Sequence, residues 1–407
     1  MISKSKAKKE MFVSCDLGYG AIKANFDGVK VKQDSVYVPI YENPSWEDGI
    51  DLENPDAVDE AIKNLLNKLD VSINDTRYLV GKSALDKLGQ TITMQMDAPN
   101  GKADSNSAII LPDAFIAGRA IQEAYENSSD EFVIGEPIQV NVQMVTALPI
   151  SEARNENGED VRPEYADRFT KKVHTVTVHS LGEDIVVRIK YDNVLVLKEG
   201  QIATNSAIQH GDAKLAKKLI AQLKKDYPDR ADEAEDLILK ATDYISIDIG
   251  QGTTDMALFY EGAVNDNSYS INQGFGNIIE DVFKRFRDPL IKTKEDFVRV
   301  WHGEAGLRDL QTKIDNQIKQ ESNDLQADIL TGLTSLLRKN PATKVIYVFG
   351  GGSIPMMERY DLGKKIKDRI KLLRTPAVLV WVGKDYAQDL NEIALDNIAS
   401  YLKEQAK

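Results

Sequence analysis

The sequence predicts an α/β protein of two domains, and three observations lead to this. The chain has 407 residues, which is more than one ordinary hydrophobic core holds. Short strand-like apolar runs are interspersed with segments whose apolar residues recur at helical spacing. A strand, an Asp-x-Gly-x-Gly turn and a returning strand occur near residue 16 and again near residue 248. This repeat predicts two related half-domains that face each other.

The composition is that of a globular protein and limits its partners. Apolar residues make up 42% of the chain, charged residues 28%, and the formal net charge is -13. A protein that coats nucleic acid is basic over its contacting face, so we expect no direct sequence-specific DNA binding. No long apolar span, signal peptide or amphipathic anchor is recognisable, so we expect a cytoplasmic protein without membrane contact.

The order of predicted elements suggests where the domains begin and end. Residues 1–10 are rich in lysine and are expected to form a disordered basic tail. Residues 11–190 are predicted to form domain I and residues 191–387 domain II. A helix near 388–407 is expected to pack back onto domain I.

The sequence also predicts the position of several helices and the burial of the cysteine. Apolar spacing predicts a helix at 56–69, another at 112–125, and two helices rather than one within 304–338. Cys15 is the only cysteine, which excludes a disulfide within the chain. Its strand-like surroundings predict a buried thiol.

The two repeated turns have the composition of phosphate-binding loops. Loop 1, residues 16–23, reads Asp-Leu-Gly-Tyr-Gly-Ala-Ile-Lys, and loop 2, residues 248–255, reads Asp-Ile-Gly-Gln-Gly-Thr-Thr-Asp. Glycine allows a tight turn and a close approach of backbone N–H groups to an anion. Lys23 can add a positive charge, while Thr253 and Thr254 can add hydroxyl donors.

The aspartates that open the two loops predict a metal. Asp16 and Asp248 would repel phosphate oxygens at contact distance. A divalent cation between carboxylate and phosphate removes this repulsion. Since Mg²⁺ keeps most of its waters and takes few carboxylates, we expect Asp16 and Asp248 to hold it largely through water.

These segments resemble the signature loops of the actin, Hsp70 and sugar-kinase superfamily. Loops 1 and 2 are similar to its two phosphate loops, and residues 348–353 resemble its adenosine loop. Residues 271–277 resemble the turn into the helix beside the nucleotide. The resemblance implies an actin-like, ribonuclease H-like two-domain fold with a nucleotide cleft between the domains. It also implies that the following residues contact the nucleotide: Asp16, Gly18, Tyr19, Gly20, Lys23, Gly250, Gln251, Gly252, Thr253, Thr254, Gly274, Gly276, Asn277, Gly350, Gly351, Gly352 and Ser353.

One further segment narrows the resemblance. Residues 144–152 resemble the first connecting segment of the superfamily, and their Leu-Pro-x-x-Glu ending is similar to plasmid-segregation actins of the ParM and Alp type. The resemblance assigns to Glu152 the positioning of the water that attacks the γ-phosphate, with Asp16 and Asp248 as its catalytic partners. The alternative is a surface glutamate after a loop proline. The second connecting segment is expected near 389–395, where the usual glycine is absent.

The function implied by this resemblance is that of a filament former. It binds ATP or GTP with Mg²⁺, assembles head to tail, uses hydrolysis as a timer and drives plasmid segregation. Its implied partners are itself and a DNA-binding adaptor on a centromere-like plasmid site. A small-molecule kinase and a chromosomally encoded cytoskeletal actin stay open as alternatives. An Hsp70-type chaperone is disfavoured because few residues follow the adenosine loop. The preferred base, the strand number, the handedness and the filament dynamics stay open.

Overall fold

A computed structural model of the chain describes residues 9–41, 50–85, 87, 90–94, 101–127, 132–155 and 157–406. The chain divides into two compact units. Unit 1 consists of Met1–Leu148, Glu152–Leu197 and Leu395–Lys407, and unit 2 of Pro149–Ser151 and Lys198–Ala394. The domain boundaries predicted from the sequence stay predictions. The predicted tail ends earlier than expected, because Lys9 and Glu10 pair with β8, and residues 1–8 lie outside the described residues.

Unit 1 is built on a sheet that has ten strands within the described residues, in the order β3-β2-β1-β8-β10-β9-β5-β6-β4-β7. Their bounds are β1 Lys9–Leu17, β2 Ala21–Phe26, β3 Val29–Asp34, β4 Val36–Ile40, β5 Leu69–Ile73, β6 Thr76–Val80, β7 Ile92–Thr93, β8 Ile138–Leu148, β9 His174–Val178 and β10 Ile185–Lys198. β1 pairs in antiparallel fashion with β2 and in parallel with β8. Both loop 1 and the segment that carries Glu152 therefore follow the carboxyl ends of neighbouring strands.

Helices cover this sheet. Between β1 and β10, the helices within the described residues are Pro55–Lys63, Lys82–Leu85, Ser107–Asn127 and Arg162–Thr170, with 3₁₀ turns at Leu65–Asn67, Lys102–Asp104 and Ser151–Ala153. Helix Ser107–Asn127 is the most buried, and Phe115, Ile116 and Ala117 are inaccessible to solvent. Gly118 lets this helix approach the core closely, because a Cβ there would lie 2.8 Å from Leu66 Cδ2.

Unit 2 contains a second sheet, in the order β13-β12-β11-β15-β16, with β14 paired to β12. Its strands are β11 Tyr244–Ile249, β12 Thr254–Tyr260, β13 Ala263–Val264, β14 Tyr269–Ile271, β15 Val345–Phe349 and β16 Val378–Trp381. Every residue of β11 and β15 is buried, as expected for central strands covered on both faces. β11 pairs in antiparallel fashion with β12 and in parallel with β15, which repeats the β1, β2 and β8 arrangement of unit 1.

The remaining helices all follow β10 in the chain. They are a π-helix at Ala203–Gln209, a 3₁₀ turn at Pro228–Glu233, and α-helices at Ala213–Asp226, Ala234–Leu239, Phe275–Arg285, Lys294–His302, Arg308–Lys339, Ser353–Glu358, Leu362–Leu373, Lys384–Ala387 and Leu390–Gln405. Among the described residues, none of the helices combines the length and apolar character that crossing a bilayer requires.

Two predicted helices have different bounds. The helix predicted at 56–69 ends at Lys63, and Leu69 already begins β5. The apolar spacing continues past the helix end because Leu65, Leu66 and Leu69 all pack into the same core. The helix predicted at 112–125 begins at Ser107, so Pro112 lies inside it rather than at its start.

The prediction of two helices within 304–338 was wrong. A single helix of 32 residues, Arg308–Lys339, occupies this region. No proline interrupts it, and its one glycine, Gly332, serves packing rather than a helix end. A Cβ on Gly332 would lie 1.8 Å from the hydroxyl oxygen of Tyr269.

Candidate functional site

Loop 1 is a tight hairpin turn between β1 and β2. Gly18 donates its N–H to the carbonyl of Ala21 at 3.0 Å. Asp16 lies opposite Lys23 in the strand register, and the Lys23 ammonium is 3.5 Å from the Asp16 carboxylate. Both residues are buried, so the loop opens with a neutral ion pair.

Ser35 holds loop 1 from outside the motif. Its hydroxyl donates to the carbonyl of Gly18 at 2.7 Å, and its N–H donates to the carbonyl of Gly20 at 3.2 Å. These two hydrogen bonds hold the turn in one conformation. The motif pattern alone gave no indication of Ser35, which lies beyond the returning strand.

Glu152 lies in the 3₁₀ turn after β8 and is held by two donors. The Tyr19 hydroxyl of loop 1 donates to Glu152 Oε1 at 2.5 Å, and the backbone N–H of Lys102 donates to Glu152 Oε2. Gly101, with φ of 105°, makes this contact possible, because a Cβ there would lie 2.9 Å from Glu152 Cδ. The carboxylate is thus half-buried and bound on both oxygens, unlike that of a solvated surface glutamate.

Lys102 is a buried lysine beside Glu152 that no sequence motif indicated. Only 1% of its surface is exposed, and its ammonium lies 6.0 Å from the centre of the Tyr19 ring. A lysine is rarely buried without a specific reason. Lys102 therefore adds a second cation beside loop 1, next to Glu152. In the sequence, Lys102 is preceded by Gly101, and this pair lies far from the recognised motifs.

Cys15 precedes Asp16 and is chemically quiet. It is 1% exposed, which confirms the expected buried thiol. Burial, followed by the charge of Asp16, raises the pKa of Cys15 to about 12. The thiol therefore stays protonated near neutral pH and does not act as a nucleophile.

Loop 2 repeats the turn of loop 1 in unit 2. Gly250 donates its N–H to the carbonyl of Thr253 at 2.9 Å. The residue opposite Asp248 in the register is Asp255, where loop 1 has a lysine. The Thr254 hydroxyl donates to the carbonyl of Gln273 at 2.9 Å, so it supports the fold of the loop, while the Thr253 hydroxyl lies 3.4 Å from the Asp255 carboxylate.

The two aspartates of loop 2 have different surroundings. Asp248 accepts a hydrogen bond from the Asn391 amide at 2.7 Å. Asp255 accepts one from the backbone N–H of Ile150 at 3.0 Å and another from the Ser270 hydroxyl. Asp255 therefore anchors the connecting segment Pro149–Ser151 within unit 2. Asn391 lies in the expected second connecting segment, which is the start of helix Leu390–Gln405.

The glycines of segment 271–277 bring the next helix against loop 2. A Cβ on Gly274 would lie 2.5 Å from the Gln251 carbonyl, and one on Gly276 would lie 2.2 Å from Gln251 Cγ. Asn277 donates its N–H to Gln251 and accepts from the N–H of Gly274, at 3.2 and 2.9 Å. These three residues thus support loop 2 and begin helix Phe275–Arg285.

The glycine run after β15 packs against loop 2 as well. Gly350, with φ of 84°, leaves no room for a side chain, because its Cβ would lie 2.3 Å from Asp248 Oδ1. Gly352 donates its N–H to Ile249 at 2.8 Å. The buried Ser353 hydroxyl donates to the Gly350 carbonyl at 2.7 Å, whereas a Cβ on Gly351 would meet the Gln388 side chain at an ordinary 3.5 Å.

The structure therefore assembles the predicted residues into two sets. In unit 1, loop 1 with Asp16 and Lys23 contacts Glu152 through Tyr19. In unit 2, loop 2, segment 271–277 and the run 350–353 form one packed group around Asp248 and Gln251. No group of three or more His, Cys, Asp or Glu side chains that could hold a metal occurs in the described ranges.

The comparisons with known proteins agree with this arrangement. No protein-family profile and no curated protein matches the sequence, but solved structures do. The chain is similar to the actin-like protein Alp7A, with 18% identity, a TM-score of 0.61 and 98% of each chain covered. It is also similar to Bacillus thuringiensis ParM with ATP, with 16% identity, a TM-score of 0.53, and 98% of this chain and 100% of that chain covered.

A third likeness is to Ta0583, an archaeal actin homolog, with 18% identity, a TM-score of 0.54, and 96% of this chain and 99% of that chain covered. These matches extend over nearly the whole chain. They confirm the predicted fold, so this chain has the mixed α/β fold of actin-like proteins. A fold at such low identity does not determine the activity, which has to be argued from the site.

Proposed function

We propose that this protein is an ATPase or GTPase that assembles with itself into filaments and drives plasmid segregation. The observation that carries the proposal is the Glu152 carboxylate, held by the Tyr19 hydroxyl of loop 1 and by the backbone of Lys102. A carboxylate fixed beside a phosphate-binding hairpin suits the positioning of an attacking water. The likeness to structures named ParM and Alp7A supports the plasmid-segregation class.

Binding follows from the two hairpins. The backbone N–H groups around Gly18, Gly20, Gly250 and Gly252 would approach the phosphate oxygens. Lys23 is the cation closest to them in loop 1, and it would exchange its contact with Asp16 for one with phosphate. The run 350–353 would lie against the base and ribose through its backbone, which favours neither ATP nor GTP.

The carboxylates fit Mg²⁺ that arrives with the nucleotide. Asp16 and Asp248 are buried to 8% and 6% exposure, and neither belongs to a cluster of three carboxylates among the described residues. Such a sparse donor set suits an ion that keeps its waters. When bound, Mg²⁺ would neutralise charge on the phosphates. Asp16 and Asp248 would orient its waters, with Asn391 holding the Asp248 carboxylate.

In the hydrolytic step, Glu152 would accept a hydrogen bond from the attacking water and orient it in line with the γ-phosphate. Tyr19 and the Lys102 N–H would keep the carboxylate at this place, so less reorganisation is needed when the water attacks. Hydrolysis would then weaken the contacts between subunits. A change of about 1.4 kcal/mol per contact alters the critical concentration tenfold.

Light scattering combined with phosphate release tests this proposal. With Mg²⁺ and ATP or GTP, the wild-type protein should show a rise in scattering that decays as phosphate is released. Glu152→Gln should assemble normally but release phosphate about a hundredfold more slowly, so its filaments should persist. Phosphate release with constant scattering would contradict self-assembly, and unchanged hydrolysis in Glu152→Gln would contradict the role of Glu152.

Plasmid segregation needs its own test. An unstable low-copy plasmid that carries this coding sequence and its flanking DNA should be retained over many divisions without selection. Glu152→Gln, which separates assembly from turnover, should abolish that retention. The adaptor is proposed to supply the DNA contact. Retention that does not depend on the flanking DNA would contradict a centromere-like site.

A further inference from the structure

Unit 1 contains a cavity of about 430 Å³ that shares no residue with loop 1 or with Glu152. It lies where the start of helix Ser107–Asn127, the end of helix Arg162–Thr170, the β5–β6 hairpin and the start of β9 meet. Ligand cavities usually measure about 300–1,000 Å³. The cavity is lined by Ile73, Asn74, Tyr78, Asn106, Ile109, Ile110, Asp167, Arg168, Lys171, Lys172 and His174.

The charged residues of this lining are mostly cationic. Arg168, Lys171 and Lys172 face the cavity with one carboxylate, that of Asp167, which pairs with Lys171 at 2.8 Å. Arg168 donates to the backbone carbonyls of Ala103 and Ser105, which fixes its guanidinium. Lys172 has no ion pair in the described part of the chain. In a protein of net charge -13, this local excess of positive charge is a distinct feature.

A buried polar network lies behind the cations. Asp113 is fully buried and accepts hydrogen bonds from His174 Nδ1 and from the Tyr191 hydroxyl, both at 2.7 Å. The His174 side chain is 2% exposed, yet its Nε2 has no hydrogen-bond partner among the described residues. Because Nδ1–H donates to Asp113, Nε2 of an uncharged ring is an acceptor and does not donate to an anion. The network instead fixes the His174 ring as part of the cavity wall.

The rest of the lining is apolar or neutral. Ile73, Ile109 and Ile110 contribute aliphatic surface and Tyr78 an aromatic ring. Asn106 lies just before helix Ser107–Asn127, so the positive end of that helix dipole is at the cavity. The site thus combines an apolar wall with several groups that attract a negative charge.

We propose that this cavity binds a small organic anion, a carboxylate or phosphate monoester carried on an apolar body. The anionic group would contact Lys171 and Lys172 beside the His174 ring, which Asp113 orients. The apolar body would lie against the three isoleucines. The proposal does not rest on nucleotide hydrolysis, and its test uses the full chain without nucleotide.

The isoleucine methyl groups provide the readout. Methyl NMR spectra of protein labelled at the isoleucine δ1 carbons should be recorded during titration with phenyl phosphate, benzoate, inorganic phosphate and neutral benzyl alcohol. Phenyl phosphate or benzoate should shift Ile73, Ile109 and Ile110 saturably. Benzyl alcohol and inorganic phosphate should bind at least about tenfold more weakly, because benzyl alcohol lacks the negative charge and inorganic phosphate lacks the apolar body. The two anions distinguish phosphate monoesters from carboxylates as the preferred class.

A matched pair of variants tests the cations. Lys171→Gln combined with Lys172→Gln should weaken binding by about tenfold or more. Lys240→Gln is the control, because Lys240 also pairs with an aspartate four residues earlier at 2.8 Å but lies in unit 2. Equal affinity in the double variant, equal binding of benzyl alcohol, or no shift of the three methyl groups would overturn the proposal. Shifts at Ile249 alone would show that the anions bind only at loop 2, with the same consequence.

Discussion

Loops 1 and 2 share the same turn but differ in the charge that lies opposite the opening aspartate. Each turn is closed by the N–H of its first glycine on a carbonyl three residues later, at 3.0 Å in loop 1 and 2.9 Å in loop 2. Opposite the opening aspartate, loop 1 places Lys23 and loop 2 places Asp255. One hairpin design therefore produces a neutral pair in unit 1 and two neighbouring carboxylates in unit 2. The side chains at this position therefore carry no net charge in loop 1 and a negative charge in loop 2.

The largest effect should come from removing the aspartate of the neutral pair. Asp16→Ala removes the carboxylate that pairs with the buried Lys23, and breaking a buried ion pair costs about 3 kcal/mol or more. Thermal unfolding should show a clear loss of stability. The double variant Asp16→Ala with Lys23→Met is the control and should recover much of it. If the single variant is as stable as wild type, the pair has no structural role.

Removing the aspartate of loop 2 should affect the metal rather than the stability. Asp248→Ala removes the hydrogen bond from the neutral Asn391 amide, so its thermal unfolding should change less than that of Asp16→Ala. Its phosphate release should fall about a hundredfold, with a higher Mg²⁺ concentration needed for half-maximal rate. An unchanged Mg²⁺ requirement in Asp248→Ala would contradict the proposed role of Asp248 in holding the ion.

The packing of the two loops should also differ. Loop 2 is pressed against a helix, so Gly276→Ala places a Cβ 2.2 Å from Gln251 Cγ, whereas Gly18→Ala meets only the Ala21 carbonyl at 3.0 Å. We expect Gly276→Ala to lower the free energy of unfolding by about 2 kcal/mol, as overpacking typically does. Gly18→Ala should cost less. Denaturant unfolding of the pair measures the difference, and equal losses would refute it.

The smallest effect should be at the central residue of loop 1. Tyr19 reaches Glu152, whereas its counterpart Gln251 is held by the helix that follows. Tyr19→Phe removes one hydrogen bond worth about 1 kcal/mol and should slow phosphate release about fivefold. Nucleotide affinity, measured by fluorescence titration, should stay the same. A large change in affinity would instead place Tyr19 in direct contact with the nucleotide.

The comparison also shows what the sequence could reveal. The two hairpins, the strands before them and the glycine run 350–353 were predictable because short motifs determine their local backbone. The contacts that orient the carboxylates were not. Asn391 is far from Asp248 in the chain, and Lys102 is far from Glu152, so neither pairing leaves a local pattern.

The roles of several glycines were equally hidden. Gly274 and Gly276 were expected to approach the nucleotide, but their missing side chains make room for Gln251. Gly350 likewise makes room for Asp248. A glycine in a motif indicates close approach, and only the folded chain shows which group approaches. Their contact with nucleotide stays a prediction.

The buried thiol of Cys15 has a practical consequence for chemical labelling. It is the only cysteine of the chain, and its pKa of about 12 leaves almost no thiolate at the pH of maleimide coupling. A cysteine introduced at an exposed position would therefore be modified alone, without first replacing the native residue. Fluorophores could then be attached to one chosen site per molecule, which would allow the proposed assembly to be observed directly in a microscope.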